Sequence, residues 1–371
     1  MLYHFFESWA GDGSVLSLFQ FITFRAALAT LIAFALACVI GKPLIAALRR
    51  MKLEETEAKS DSAKLNDLHR DKSSTPTMGG LLIVPAVVIP TLLLARLDNP
   101  YVLLALFVTI AFAGVGFLDD RRKLKKTGGK GISARAKFAW QLAIAVVPAF
   151  ALWWMARASG DSAALRVDVP FVKGWGLDLG AGLGVLYFLF VMVTIVGSSN
   201  AVNLTDGLDG LAIGCTAFAA TALAVVAYLG GRVDMSEYFG VAYVPGGGEM
   251  AVFLGALIGA GMGFLWFNCF PAEVFMGDTG SLPLGGALGL AAVVLRQELL
   301  LFVVGGIFVL EAMSVILQVL SFKATGRRIF RIAPLHHHFQ FKGWHETKVT
   351  VRFWIVAALL SLVTVATLRI G

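Results

Sequence analysis

The sequence predicts an all-α integral membrane protein with about ten transmembrane helices, built as a single polytopic unit over residues 1–371. Three observations carry this expectation. Of the 371 residues, 58% are hydrophobic and only 15% are charged, against about 45–50% and about 25% in soluble domains. Apolar runs recur at a length that can cross a hydrocarbon core of about 30 Å, which takes about 20 helical residues. The Lys and Arg residues collect in alternate loops, which is a topology signal. A net charge of +7 would suit a nucleic-acid partner if it formed one soluble face. Spread over short loops between apolar runs, it gives no such face, and no nucleic acid is expected as a partner.

The apolar runs fall near 19–48, 79–96, 101–118, 136–156, 182–199, 211–229, 251–269, 282–296, 299–321 and 353–369. The first contains Arg25 and Lys42, and the eighth is short and glycine-rich. Residues Met1 to Ser17 include Glu7 and Asp12 but no Lys or Arg. A signal peptide needs a basic start, so the first helix is expected to be retained. Between the fourth and fifth runs, Leu165 to Leu179 mixes Val167, Val169, Phe171 and Trp175 with turn formers. It reads as a short external β-hairpin. Cys38, Cys215 and Cys269 lie in or beside apolar runs. They read as small buried hydrophobes and make no disulfide framework.

Orientation follows from the basic residues. Loops 49–78, 119–137 and 322–352 hold seven, eight and seven of them, while loops 200–210 and 270–281 on the same side hold none. The opposite loops and the termini together hold seven. The basic side is expected to be cytoplasmic, and ten spans then place both termini outside.

The acids are placed unusually. Asp119 and Asp120 close the third run, Asp206 and Asp209 open the sixth, and Asp278 lies between the seventh and eighth. All five fall at the expected cytoplasmic boundary, where acids near hydrocarbon are costly. Their convergence at one depth predicts a metal or substrate site. Each has a plainer reading. Asp119-Asp120, followed by Arg121, Arg122 and Lys123, also suits a solvated helix end. Asn203, Asp206 and Asp209 are three apart and share a face if helical, but the run also suits an Asx-type turn. Asp278 also suits an N-cap of the eighth helix. Magnesium favours a few carboxylates together with phosphate oxygens and water, and Asp278 is the carboxylate chosen here as its ligand.

Bases supply the complement. Lys72, Lys123 and Lys137 stand in the same loops as the acids, and His336, His337 and His338 are adjacent in the last one. Adjacent histidines do not easily share one metal, so phosphate binding or proton transfer suits them better than zinc. Acids for Mg²⁺, bases for phosphates and an apolar embedding predict phosphoryl transfer, which needs mainly positioning and charge neutralisation. A nucleotide-sugar donor would supply the diphosphate, and an acceptor delivered from the bilayer would explain a site at the membrane surface.

Five runs together resemble one family: Thr75-Pro-Thr-Met-Gly-Gly80, Gly116-Phe-Leu-Asp-Asp120, Asn203-Leu-Thr-Asp-Gly-Leu-Asp-Gly210, Phe275-Met-Gly-Asp-Thr-Gly-Ser281 and Ala333-Pro-Leu-His-His-His-Phe339. The chain is similar over nearly its whole length to the MraY family of phospho-N-acetylmuramoyl-pentapeptide transferases. The resemblance implies a ten-helix homodimer in the bacterial inner membrane, with periplasmic termini and the active site at the cytoplasmic face. It implies transfer of phospho-MurNAc-pentapeptide from UDP-MurNAc-pentapeptide to undecaprenyl phosphate, giving lipid I and UMP, with Mg²⁺ required. Carried onto this chain, it implies catalytic roles for Asp119, Asp120, Asp278 and His337. Substrate-binding roles fall to Lys72, Thr77, Lys123, Lys137, Asn203, Asp206, Asp209, Asn268, Phe275, Gly277, Ser281, Gln318, His336 and His338. A related enzyme that transfers another amino-sugar phosphate would share the acids. An ion-coupled transporter would find support in Glu311 and Gln318 within the ninth run, but transporters place their ionisable groups near the midplane. Glu311 is expected to face protein or a polar groove.

Overall fold

Ten apolar helices follow one another as the hydrophobic pattern requires. The computed structural model describes residues 3, 5, 15–51, 75–124, 131–169, 175–180 and 184–368. The ten are α1 (Ile22–Arg50), α2 (Gly80–Leu94), α3 (Pro100–Lys123), α4 (Ala134–Ser159), α5 (Val185–Thr205), α6 (Leu211–Gly230), α7 (Met250–Asn268), α8 (Asp278–Val294), α9 (Gly306–Thr325) and α10 (Glu346–Ala366). Among the described residues, eight helices are long and apolar enough to cross a membrane, and α2 and α8 are shorter. The chain is a multi-pass membrane protein.

Helix α8 explains how a short element fits. Its 17 residues extend about 25 Å, less than the hydrocarbon thickness of about 30 Å. Every one of them is buried, so protein surrounds this helix and neither end has to reach a lipid surface. The outer helices show the opposite character. Leu31, Val39, Trp154, Val193, Leu320 and Leu362 expose their side chains, which suits acyl chains rather than water.

Lipid offers no hydrophobic drive between helices, so close backbone approach has to hold the bundle. On α1, Ala29, Ala33, Ala37 and Gly41 form a buried stripe at four-residue spacing. It meets Gly255, Gly259 and Gly263 of α7. A Cβ on Gly263 would stand 2.5 Å from the Ala37 Cβ, and one on Gly259 would overlap the Thr30 carbonyl. At the end of the bundle where α1 begins, Arg25 is buried and forks onto Glu249, with Nη1 donating at 2.7 Å and Nη2 at 2.6 Å. A buried guanidinium tolerates this place because its charge is matched by the Glu249 carboxylate.

Helix ends obey local chemistry. The Asn99 side chain accepts from the Tyr101 and Val102 amides, with Pro100 at the first helical position of α3. Ser133 caps α4 by accepting from the Ala136 amide, and Gly160 ends it in the left-handed conformation. The hairpin expected between the fourth and fifth helices forms. Strands β1 (Arg166–Asp168) and β2 (Gly176–Asp178) pair antiparallel with Val167 opposite Leu177.

Several boundaries differ from the sequence expectation. Helix α3 continues to Lys123, beyond the expected boundary near 118, so Asp119 and Asp120 lie within its last turns. Helix α9 starts at Gly306, because Leu301–Val304 forms a separate short helix that breaks at Gly305. Helix α10 starts at Glu346 rather than near 353, since its first turns carry charges that an apolar pattern rejects. Of the three cysteines only Cys215 is buried; Cys38 is half-buried, and Cys269 is exposed because it stands just past the end of α7; all three are free.

Candidate active site

Three carboxylates meet at one end of the bundle. Asp119, Asp120 and Asp278 each offer an oxygen, and these oxygens all lie within 4.8 Å of one another. Two come from the last turns of α3 and one from the first residue of α8. Two ammonium groups stand among them. Lys123 Nζ is 2.9 Å from Asp119 Oδ2 and 3.0 Å from Asp278 Oδ2. Lys137 Nζ, from the first turn of α4, is 2.6 Å from Asp278 Oδ2 and 3.7 Å from Asp119 Oδ2. The three acids are almost wholly buried, so unpaired ionisation would be costly. Opposite charge at hydrogen-bond distance offsets that cost.

The acids divide their tasks. Gly277, at the N-cap of α8, has no side chain to satisfy the first amides of that helix. Asp120 reaches across from α3 and does so. Its Oδ1 accepts from the Asp278 amide at 3.1 Å, and its Oδ2 accepts from the Thr279 amide at 2.9 Å and the Thr279 hydroxyl at 2.6 Å. A carboxylate at a helix N-terminus is also favoured by the helix dipole. Gly277 has φ +68°, and a Cβ there would meet Asp120 Oδ2 at 2.6 Å and Thr77 Oγ1 at 3.0 Å. Glycine is therefore required for both conformation and space. Asp119 Oδ1 accepts from the Ile132 amide at 2.5 Å, which ties the start of α4 to the end of α3. Asp278 does not cap its own helix. Its Oδ2 faces the two lysines and its Oδ1 accepts from Asn203 Nδ2 at 2.6 Å. Asn203 also donates to Ser281 Oγ at 2.8 Å.

The remaining expected residues surround this centre. Thr77 is buried in a segment paired with Phe275 and Met276: the Phe275 amide donates to Pro76 O, and the Gly79 amide donates to Phe275 O, each at 2.8 Å. Asp206 caps the end of α5, and the chain turns there, so Asp206 and Asp209 do not share a helical face. The Asp209 carboxylate accepts from the Ala272 amide at 3.0 Å. Asn268 accepts from the Gly210 amide at 3.0 Å and donates to Val274 O at 2.8 Å. It clamps the two acid-bearing loops together. Lys72 lies outside the described residues.

The histidines diverge. His336 is buried, with Nδ1 3.3 Å from Glu311 Oε2, and its own amide donates to Glu311 Oε1 at 3.1 Å. Glu311 faces protein, as expected. The Nδ1 of His336 approaches the carboxylate without forming a hydrogen bond. The His336 ring packs against Gly207, where a Cβ would overlap it. His337 Nδ1 is 2.8 Å from Gln340 Oε1. His338 Nδ1 accepts from the Arg331 amide at 3.1 Å. Desolvation, then Lys342 and Arg331, hold its pKa below the ordinary histidine value, in keeping with a neutral ring that accepts. Gln318 holds the same segment, donating to Phe330 O and accepting from the Ile329 and Phe330 amides.

Beside the acids, an apolar cavity of about 220 Å³ opens between α3 and α4, lined by Ala111, Gly114, Val115, Leu118, Ile132, Trp140 and Ile144. Ile132 belongs to both places, lining the cavity and donating to Asp119. Sequence reasoning passed over Thr279, although it sits inside a quoted motif, and over Ile132, whose contribution is a backbone amide and leaves no residue-type signal.

Hard oxygen donors clustered beside cationic groups can take a divalent cation and hold anionic phosphates. Comparison with known proteins agrees with that chemistry. Residues 102–296 match the sequence model of Glycosyl transferase family 4, and residues 72–84 match phospho-N-acetylmuramoyl-pentapeptide-transferase signature 1. A protein of Ruegeria pomeroyi (strain ATCC 700808 / DSM 15171 / DSS-3) named phospho-N-acetylmuramoyl-pentapeptide-transferase is 48% identical over 370 residues, covering 100% of each chain. A three-acid, two-lysine centre at the end of an apolar bundle and identity along the full length lead to one assignment: this chain belongs to the phospho-N-acetylmuramoyl-pentapeptide-transferase family.

Proposed function

We propose that this protein transfers phospho-MurNAc-pentapeptide from UDP-MurNAc-pentapeptide to undecaprenyl phosphate, giving lipid I and UMP, the first membrane step of peptidoglycan synthesis. The observation that carries the reading is the cluster of Asp119, Asp120 and Asp278 with Lys123 and Lys137. The enzyme works as a homodimer in the bacterial inner membrane, with both termini periplasmic and the site at the cytoplasmic face. The distribution of basic loops supports that orientation.

The donor set fits Mg²⁺: carboxylate oxygens, no thiolate or imidazole among the described residues, and two ammonium groups beside them. Asp278 and Asp119 would hold the ion, since both oxygens of Asp120 already accept from α8. When bound, Mg²⁺ supplies charge neutralisation at the donor diphosphate. Lys123 and Lys137 exchange carboxylate for phosphate oxygens as the donor settles. Lys72 adds a third positive charge from its loop. Asn203 fixes the rotamer of Asp278 through Oδ1. The half-buried Phe275 and the loop from Asp206 to Asp209 face the nucleotide, with Thr77, Gly277, Ser281 and Asn268 supporting them. His336, His337, His338 and Gln318 bind the sugar-phosphate side. The cavity between α3 and α4 would receive the apolar start of the prenyl chain, placing its phosphate next to Asp119.

The acceptor needs no strong base. A phosphate monoester has a second pKa of about 6 and is mostly dianionic at neutral pH. The roles left for the aspartates are holding cations and holding α8. The test is release of UMP by purified protein given UDP-MurNAc-pentapeptide, undecaprenyl phosphate and Mg²⁺, beside a parallel assay with UDP-GlcNAc. Turnover with the first donor alone is expected. Turnover with UDP-GlcNAc alone would assign the chain to another amino-sugar phosphate.

A further inference from the structure

The first turns of α10 hold the loop that follows Asn203. Glu346, Thr350 and Trp354 are spaced by four, so they share one face of the helix. Glu346 Oε1 accepts from the Asp209 amide at 2.8 Å. Thr350 Oγ1 donates to Asp209 O at 3.3 Å, and Trp354 Nε1 donates to Gly210 O at 3.1 Å. Three side chains of one helix thus bond three backbone groups of two adjacent loop residues, Asp209 and Gly210. The indole of Trp354 also fills the space above Gly210 and Gly214, where a Cβ on Gly210 would stand 3.2 Å from its ring. Glu346 and Thr350 are buried.

Helix capping does not account for this. The groups bonded lie before α6, and the amide taken by Glu346 belongs to Asp209, outside the helix. A buried carboxylate that bonds a loop amide is costly to leave without that bond. The other side of the same loop is held by Asn268 and by the Ala272 amide. Displacing it from the α10 side would shift the turn from Asp206 to Asp209, which the transferase reading places at the nucleotide.

We infer that Glu346, Thr350 and Trp354 are positioning residues that set the nucleotide-binding loop, so that α10 controls affinity for the uridine nucleotide and not for the lipid acceptor. This inference rests on the proposed transferase reading. None of the three touches the acid centre; they act through Asp209 and Gly210.

The experiment measures UMP affinity by titration calorimetry on the full-length detergent-solubilised protein, and KM for each substrate with kcat. For Glu346→Ala, UMP affinity should fall and donor KM rise by about tenfold, the scale of one lost charge-assisted hydrogen bond. Lipid-phosphate KM and kcat should stay within about twofold. Glu346→Gln keeps an acceptor oxygen and should recover most of the affinity. Trp354→Phe keeps the ring and removes one N–H, and should give a smaller shift of the same kind. It carries the test if Glu346→Ala does not fold. Unchanged UMP affinity in both variants, or a loss with equal effects on both substrates, would overturn the inference. Wild-type protein that binds UMP but transfers nothing would count against the transferase reading alone.

Discussion

Thr279 donates to Asp120 Oδ2 twice, through its hydroxyl at 2.6 Å and its amide at 2.9 Å, across 159 residues of sequence. One carboxylate of α3 is thereby spent on anchoring the start of α8. Asp120→Asn keeps the shape and offers one good acceptor oxygen where two were used. Activity should fall by about 10²–10³-fold, the scale of a lost preorganised contact at a reacting centre. The loss should persist from pH 6 to pH 9. If Asp120 served as a base, raising the pH would ionise the acceptor phosphate fully and restore much of the rate. Measuring the pH–rate profile of this variant separates the two.

Asp278 sits between two lysines and Asn203. Asp278→Asn leaves Lys137 without its shortest ion pair and removes the proposed metal ligand. The protein should still fold, because Asp120 bonds the backbone amide of residue 278 rather than its side chain. Turnover should drop by about 10²–10³-fold. In the wild type, chelation should abolish activity and added Mg²⁺ should restore it. A variant with near-normal turnover would refute the metal assignment.

Orientation is testable on two exposed positions. In a background lacking the three native cysteines, Arg328→Cys and Glu237→Cys place single thiols on opposite sides of the bundle. An impermeant thiol reagent added to intact cells should label position 237 and miss position 328. The reverse pattern would overturn the proposed topology and the cytoplasmic site with it.

Glu298 gives a pH dependence remote from the acids. It follows α8 in the chain, is buried, and its Oε2 has no hydrogen-bond partner. Burial pushes its pKa up to about 8, against about 4.3 for an exposed glutamate. Between those values the folded state holds a proton that the unfolded state has released. Stability contributed by this group is present below about pH 4.3 and is lost as pH rises through that window to about 8. Glu298→Gln should flatten the fall in melting temperature between pH 5 and pH 8. An unchanged slope in the variant would remove Glu298 as its source.

The helices were legible because ten apolar runs leave a strong periodic trace, and the motif acids were legible because they interrupt that trace. What escaped has physical reasons. The start of α10 carries Glu346, Lys348 and Arg352, so hydropathy places the helix too late and hides the face that meets Asp209. The role of Asp120 depends on Gly277 having no side chain to cap α8, a relation between two distant segments. Asp206 and Asp209 are three apart, yet the turn after Thr205 separates them. The three histidines look like one cluster in sequence, but on a short helix they turn to Glu311, Gln340 and the Arg331 amide.

The complete enclosure of α8 has a dynamic consequence. Amides on a helix with no exposed residue exchange their hydrogens only when the surrounding helices part, so α8 should be among the most protected segments and exchange near the rate of global unfolding. Asp278 stands at the first position of that helix. The end of the site proposed to hold Mg²⁺ is then as rigid as the protein itself. Adjustments for a bulky donor and a long prenyl chain fall to the less enclosed parts, the start of α4 and the histidine segment. Deuterium labelling with and without nucleotide should show protection changing there while α8 stays silent.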